Sequence, residues 1–205
     1  RLVLTQDGNQ RKNITTSANK MEWTFTKYDL LNRPVLTGIY THGSFIDQAA
    51  MQTYVNTQIT AGNKFYEDYD GSATNEGYTN RTFPTTGATL LTVNYYDNYS
   101  FRTLWGNSHG YFDQDLSAVA NSVTYDQPTT ASIRTVGLQT GSRMRVFEGG
   151  TLGISWIKTA IYYDDNGRVI QTVADNQKGG MDRTSTLYDF VDRVLKTRTD
   201  RKSVV

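Results

Sequence analysis

The 205-residue chain contains no cysteine. It can therefore form no disulfide bond, no thiolate metal site and no thiol nucleophile. Basic and acidic residues almost balance, 21 against 20, which leaves a net charge of +1. Because such a small charge creates no broad field to hold phosphates, we expect no nucleic-acid partner. The longest apolar runs are only a few residues, so we also expect no membrane insertion.

Residues suited to β-strands are abundant. The chain has 14 Tyr, 8 Phe and 3 Trp, with many threonines and 17 glycines. Aromatic residues and threonine fit a pleated, half-buried surface, and a hydrophobic share of 37% is enough for a folded domain. The composition therefore predicts a β-rich fold with a polar surface.

Hydrophobic patterning predicts strands and one helix. The strand patterns cover 21–28, 33–40, 89–96, 133–147, 154–164, 168–175, 183–190 and 193–199. Apolar residues at helical spacing predict a helix over about 44–60, with Ser44 as its N-cap and Gly62 at its end. Polar, turn-rich segments at 62–88 and 104–132 predict irregular connections, the first with short pairings inside it. The expected fold is mainly β, an antiparallel sheet with this helix packed on it.

An eight-residue phrase occurs three times in these strands. Each copy begins with Tyr-Asp, has Asn, Gly or Asp at its fifth position, and has Arg at its sixth. The shared residues are Tyr28, Asp29, Asn32 and Arg33 in the first copy, Tyr163, Asp164, Gly167 and Arg168 in the second, and Tyr188, Asp189, Asp192 and Arg193 in the third.

The phrase has the chemistry of a β-hairpin tip. Aspartate at the first position of a type I turn accepts hydrogen bonds from the turn's N–H groups. Asn, Gly and Asp reach positive φ at the least cost, as a three-residue hairpin loop with a bulge requires. We expect each tyrosine to pair across the strands with the apolar residue after the arginine (Val35, Val169 or Ile170, Val194). The arginine stem should pack over the tyrosine ring, with its charge in water.

The phrase resembles the repeat of the Rhs/YD-repeat family, large bacterial surface and secreted proteins whose animal relatives include the teneurins. The resemblance covers about 27–38 and 155–200. It implies a sheet of YD-type hairpins that forms part of a β-shell around a variable C-terminal cargo, often a toxin. It further implies partners among the neighbouring repeats of the same chain, a location at the cell surface or in secreted form, and a structural module without catalysis or cofactor.

The spacing of the copies organises the chain. The second and third copies start at Tyr163 and Tyr188 and are nearly in tandem, whereas the first starts far upstream at Tyr28. We expect one β-rich fragment over 1–205, with a first hairpin in 1–40 and near-tandem hairpins in 133–205. A helix-bearing insertion or degenerate repeats would fill 41–132. Because the chain begins with Arg1 and ends in a basic stretch, we expect it to be a piece of a longer polypeptide.

Two other functions compete with a structural module. Trp105, Tyr95 and Tyr99 could stack on sugar rings if they are exposed, which would make the chain a carbohydrate-binding or surface-ligand module. Carboxylate pairs such as Asp164-Asp165 and Asp113/Asp115 could serve as acid and base in a glycan-acting hydrolase. A histidine-based site is disfavoured, because the adjacent side chains of Ser108 and His109 would diverge in a strand.

The acidic segment 66–76, within the 62–88 connection, is the candidate metal-binding site of the sequence. Its oxygen ligands surround Gly71, as they surround the glycine of a calcium loop. Alignment on that glycine places Tyr66 and Gly77 where the loop needs carboxylates, so the match fails at two ligands. We therefore expect a solvated turn and no bound metal or cofactor.

Overall fold

The computed structural model describes residues 3–12, 21–44, 47–60, 64–116, 126–148 and 151–202. The fold is mainly β, and its nine strands form one open antiparallel sheet in which the order of strands follows the chain. The strands are β1 Leu4–Thr5, β2 Met21–Tyr28, β3 Pro34–His42, β4 Ala88–Asp97, β5 Thr135–Glu148, β6 Thr151–Tyr163, β7 Val169–Asp175, β8 Met181–Tyr188 and β9 Val194–Arg201. The α-helices are α1 Gly8–Lys12 and α2 Gln48–Thr60, and two 3-10 helices cover Ala73–Asn75 and Ser100–Trp105.

The predicted strands are confirmed, with ends that agree to within three residues. Strand β2 has the predicted bounds, and Tyr69 and Tyr78 form an isolated bridge inside the 62–88 connection, where short pairings were expected. The two-residue strand β1 was not predicted, because two residues are too few to show an alternating pattern. Contacts divide the chain into two compact units, Arg1–Val93 and Asn94–Val205.

The first unit is built on the inward-facing row of β2. Alternate residues of this strand are buried, which is the pattern of a strand with one face against a core. The apolar core combines this row with residues of β3, α2 and the loop before β4: Met21, Trp23, Phe25, Tyr40, Met51 and Phe83. Helix α2 therefore packs on the sheet as expected. The fourth inward position of β2 is not apolar; it is Lys27.

Helix α2 has a different N-cap from the predicted one. Its first residue is Gln48, and the Asp47 carboxylate accepts a hydrogen bond from the Ala50 backbone N–H at 2.8 Å. The predicted cap, Ser44, instead lies beside the His42 ring, with its hydroxyl oxygen 3.4 Å from Nδ1. Aspartate caps as well as serine does, and its charge interacts favourably with the helix N-terminus. The predicted end, Gly62, lies outside the described residues.

A second, short helix was not predicted. Helix α1 begins directly after Asp7, whose Oδ1 accepts from the Gln10 backbone N–H at 2.7 Å. The Gln10 side chain accepts in return from the Asp7 backbone N–H at 3.0 Å. This reciprocal pair is a capping box, and its Asp-x-x-Gln spacing was visible in the sequence. No helix among the described residues is long and apolar enough to cross a membrane.

Strand β3 carries a glycine where two neighbouring strands leave no room for a side chain. A Cβ on Gly38 would lie 2.1 Å from the Thr89 carbonyl oxygen of β4 and 2.7 Å from the Phe25 ring of β2. Neither neighbour is the free end of a flexible side chain. The backbone of β4 and the ring of Phe25 can approach this closely only because residue 38 has no side chain.

Gly38→Ala should lower the free energy of unfolding by about 1–3 kcal/mol, because the backbone or the Phe25 ring must move to accept the methyl group. Chemical unfolding followed by circular dichroism measures the change. Gly43→Ala is the matched control, since a Cβ there meets no atom within 4 Å. Equal effects of the two substitutions would contradict the close packing at Gly38.

Candidate functional site

The three repeated phrases form three hairpin tips, as predicted. In each tip the aspartate N–H donates to the carbonyl of the arginine four residues later, over 2.9–3.0 Å. The residue before the arginine has positive φ in every copy, 64° at Asn32, 77° at Gly167 and 65° at Asp192. The expected three-residue loop is thereby confirmed.

Both oxygens of each tip aspartate are used. Oδ1 accepts from the arginine backbone N–H at 2.8 Å in the first copy and at 2.9 Å in the other two. Oδ2 accepts from Nε of the same arginine at 2.6, 2.6 and 2.7 Å. The backbone bonds were predicted, but the charge-assisted side-chain bond was not. Its signal was the constant Asp–Arg spacing, since the turn brings residues four apart together.

The electrostatic balance at a tip is clearest at Asp189. Burial raises the pKa of this carboxyl, but hydrogen bonds from Arg193 and Val191 favour the carboxylate. The pKa is therefore lowered overall, so Asp189 stays ionised to a lower pH than an ordinary aspartate does.

A bulge follows each tip and sets the strand register. Tyr163 pairs with Val169 and Tyr188 pairs with Val194, as predicted. Tyr28 pairs with Pro34, so the predicted partner Val35 is wrong. Lys27 is already opposite Leu36, which leaves Val35 as the extra residue of the bulge.

The second and third tips are joined through Arg168. One terminal nitrogen of its guanidinium donates to the Asp189 carbonyl at 2.7 Å and to Asp192 Oδ1 at 2.8 Å. The guanidinium carbon lies 5.0 Å from the ring centre of Tyr188, whose hydroxyl donates to the Val169 carbonyl at 3.1 Å. Arg168 thus closes its own turn through Nε and binds the next turn through its terminal nitrogen.

The expectation that the arginine packs over the tyrosine of its own phrase is wrong for Arg168. Its guanidinium lies over Tyr188, the tyrosine of the following copy. Strands β7 and β8 pair as antiparallel neighbours. The tip before β7 and the tip after β8 therefore lie at the same end of these two strands. The sequence showed the repeat but not which copies would touch.

A buried polar network fastens the 111–116 loop to β7 and β8. Asp115 accepts two bonds from Arg183, at 2.5 and 2.8 Å, and one from the Ser185 hydroxyl at 2.7 Å. The buried Gln171 side chain accepts from the Phe112 N–H at 2.9 Å and donates to its carbonyl at 2.8 Å. The strand residues of this network, Gln171, Arg183 and Ser185, were missed, because polar side chains within strands normally indicate a solvent-facing row.

Ser108, His109 and Asp175 form a hydrogen-bonded chain. His109 Nδ1 lies 2.9 Å from the Ser108 hydroxyl, and Nε2 lies 2.9 Å from Asp175 Oδ1. The expected divergence of Ser108 and His109 is wrong, because they lie in a turn, where His109 has a φ of 58°. Strand geometry, on which that expectation depended, does not apply there.

This chain of side chains has the composition of a hydrolytic triad but lacks its accessibility. The His109 side chain is 2% exposed, and burial lowers its pKa although Asp175 partly opposes the shift. The Ser108 hydroxyl donates to the Trp105 carbonyl at 2.8 Å, which directs its proton away from the imidazole. The arrangement ties the 106–109 turn to β7.

Three of the four carboxylates considered for glycan hydrolysis have structural partners. Asp164 closes the second tip, and Asp115 holds Arg183. Asp165 accepts from the Ser132 hydroxyl at 2.5 Å.

Two of the predicted sugar-stacking residues belong to the interior of the second unit. Tyr95 and Trp105 are only 1% and 6% exposed, and Tyr95 stacks on Phe101 with ring centres 4.6 Å apart. Tyr99 is half-buried and stacks on Tyr162 at 4.9 Å. The stacking role predicted for Tyr95 and Trp105 is therefore corrected to core packing, since a sugar needs an exposed ring face, and for Tyr99 it stays a prediction.

The acidic segment around Gly71 forms internal contacts. Asp68 pairs with Arg81 at 2.5 Å, and Asp70 accepts from the Ser72 N–H at 2.9 Å. Glu67 is buried in a separate cluster with Lys27. Across the described ranges, no group of three or more His, Cys, Asp or Glu residues is placed to hold a metal ion.

Comparison of the chain with protein-family models, curated proteins and solved structures finds no match. Its function must therefore be inferred from its own residues and their geometry.

Acid should destabilise the second unit through Asp115. Burial raises the pKa of this carboxyl, but Arg183 and Ser185 lower it overall from its ordinary value of 3.8. The unfolded chain therefore binds its proton at higher pH than the folded chain does. The stability contributed by Asp115 is complete above about pH 4 and is lost as the pH falls through the folded-state pKa.

Asp115→Asn should lower the free energy of unfolding near neutral pH and make it depend less on pH below about 4. Urea unfolding at a series of pH values measures both effects. Asp113→Asn is the matched control, because it leaves the Arg183 contact in place. Wild-type acid dependence in Asp115→Asn would show that Asp115 does not supply this stability.

Proposed function

We propose that this chain is a non-catalytic structural module of the Rhs/YD-repeat type, a stretch of β-sheet built from repeating hairpins. The observation that carries the proposal is the contact of Arg168 with the following tip. A turn that closed only its own hairpin would need no more than the Asp164–Arg168 pair. The bonds from Arg168 to the Asp189 carbonyl and to Asp192 give the phrase a second use, which is joining neighbours.

The spacing of the phrases allows this contact to recur. The segment 169–193 comprises β7, a turn, β8 and one tip. Each further repeat would therefore add two strands and one tip, with the tip at the same end of the strands. Proteins built from such units gain stability from contacts between adjacent repeats. The buried network around Asp115 supports the proposal further, because it covers β7 and β8 with a loop of the same chain.

The third tip carries the groups that a further contact would use. The Arg193 side chain is 77% exposed while its Nε binds Asp189. Val194 and Leu195 beside it are exposed as well. Strand β9 bears Lys196, Arg198, Asp200 and Arg201, charges that discourage pairing with unrelated strands. We propose that the third tip and strand β9 contact a further repeat of the same polypeptide.

The proposal places the module in a large bacterial protein at the cell surface or in secreted form. There it would form part of a β-shell around a C-terminal cargo. The network of turn contacts, and not an active site, would be what selection maintains in this stretch of chain.

Duplication of the segment 169–193 tests the proposal. The first copy's Arg193 would then be followed by Val169-Ile170, which resembles its natural continuation, Val194-Leu195. If the chain is a repeating module, the longer protein should fold cooperatively with an unfolding midpoint at least equal to that of the original. Thermal unfolding and circular dichroism measure the midpoint and the added strand content.

An insertion of the same segment in scrambled order is the matched control, and it should lower the midpoint or prevent folding. In the duplicated protein, the change Arg193→Met in the first copy should destabilise more than Arg193→Met does in the original protein, because the first copy's Arg193 would then bind the additional tip. A duplication as harmful as the scrambled insertion would contradict the proposal.

A further inference from the structure

Lys27 is a buried lysine in the apolar row of β2. Its side chain is 2% exposed, and that of Glu67, its ion-pair partner, is 0% exposed. Lys27 Nζ lies 3.0 Å from Glu67 Oε1 and 2.7 Å from Asn80 Oδ1. A buried amine and a buried carboxyl group thus meet the carboxamide of an exposed asparagine in the first unit.

Such a group has the components of an amide-forming reaction, a nucleophile, an acyl group and a proton carrier. We propose that Lys27 and Asn80 form an intramolecular isopeptide bond, with Glu67 as the catalytic residue that transfers the proton. The proposal is independent of the proposed function, because no group in this cluster belongs to the tip contacts of the second unit.

The reaction balances without an oxidant or a cofactor. The Lys27 ammonium gives a proton to Glu67, and the freed Nζ lone pair attacks Asn80 Cγ while the carbonyl π electrons move to Oδ1. The Nζ–Cγ bond forms, the carbonyl is restored, and the Cγ–Nδ2 bond breaks. Protons from Nζ, one of them carried by Glu67, leave with Nδ2 as ammonia or ammonium. A primary amide becomes a secondary amide, and no atom changes oxidation state.

The surroundings of Lys27 favour the reactive amine. Burial lowers its pKa, and the opposing effect of Glu67 is smaller. Apolar and aromatic residues occupy the preceding inward positions of β2, so little water competes for the nitrogen. A desolvated amine is the form in which lysine acts as a nucleophile.

The Asn80 amide lies within hydrogen-bonding distance of this amine. Its oxygen accepts from Lys27 Nζ, while its nitrogen donates to the Thr85 carbonyl at 2.8 Å. The carbonyl oxygen therefore lies next to the amine and the leaving nitrogen points elsewhere, so that a small rotation would bring Nζ from the oxygen to the face of Cγ. Asn80 is the exposed member of the cluster, which gives the released ammonia a path to solvent.

Glu67 does not need the lysine charge to remain hydrogen-bonded. Its carboxylate also accepts from the hydroxyls of Thr79 and Thr82, at 2.6 and 2.7 Å, and from the N–H groups of Arg81 and Thr82, at 2.9 and 3.0 Å. Burial raises the pKa of Glu67, but Lys27 and these hydrogen bonds lower it overall. Glu67 is therefore held as the carboxylate that can accept the proton, and it keeps its donors after the ammonium is consumed.

The bond would tie β2 to the loop before β4, two segments that are far apart in the sequence. Such a cross-link restricts the unfolded chain in the way that a disulfide does, in a protein without cysteine.

The intact mass of the purified protein tests the inference. The bond releases ammonia, so the wild-type mass should be about 17 Da below the mass calculated from the sequence. Lys27→Met, Asn80→Ala and Glu67→Gln should each have their calculated mass. Lys158→Met, which removes a lysine of the second unit, should keep the deficit. A wild-type mass equal to the calculated mass overturns the inference whether or not a variant folds.

Peptide mapping locates the bond. Trypsin should not cleave after an acylated Lys27, and a branched peptide should join the segments that contain residues 27 and 80. The Asn166-Gly167 sequence could lose ammonia by cyclising, but that loss would persist in Lys27→Met and would give no branched peptide. A wild-type mass equal to the calculated mass, or a deficit that Lys27→Met retains, would overturn the inference.

Discussion

The aspartate carboxylate of each repeated phrase is the group on which the hairpin tips depend. One oxygen holds the backbone of the turn and the other holds the arginine side chain, so a single residue fixes both the loop and the cation beside it. The tip aspartates are largely buried, and a buried carboxylate without its donors would be costly. The residue with positive φ and the bulge complete the geometry, which explains why the phrase keeps its spacing while its other residues vary.

The bond to the aspartate also sets the direction in which the arginine side chain points. In the second copy, the Nε bond to Asp164 leaves the terminal nitrogen of Arg168 directed at the next tip along the chain. A local device for closing a turn thereby becomes a contact between repeats. The loop around Asp115 and the chain from Ser108 to Asp175 add further polar attachments of connecting segments to the same strands. In the second unit, Ser108, His109, Asp115 and Asp164 therefore each have a structural partner.

Local chemistry made the strands, the tips and the positive-φ positions predictable from the sequence, because two-residue periodicity and turn preferences operate within a few residues. The contacts that join distant segments were not predictable in this way. Nothing in the local pattern indicates that Gln171 faces Phe112, that Lys27 faces Glu67 and Asn80, or that Arg168 reaches Tyr188. Tyr95 and Trp105 show the same limit, since aromatic side chains suit both an exposed platform and a core. The cap of α2 was misplaced because Ser44 and Asp47 are both good caps and only the fold selects between them.

A double-mutant cycle between Arg168 and Tyr188 tests the central claim, that the second tip holds the third. Free energies of unfolding would be measured for Arg168→Met, Tyr188→Leu and the double variant, and in parallel for Arg193→Met with Tyr188→Leu. The account predicts a coupling of about 0.5–1 kcal/mol for Arg168 with Tyr188, as for a cation over an aromatic ring. For Arg193, whose side chain is 77% exposed, it predicts a smaller coupling with Tyr188. Additivity for Arg168, or a larger coupling for Arg193, would contradict it.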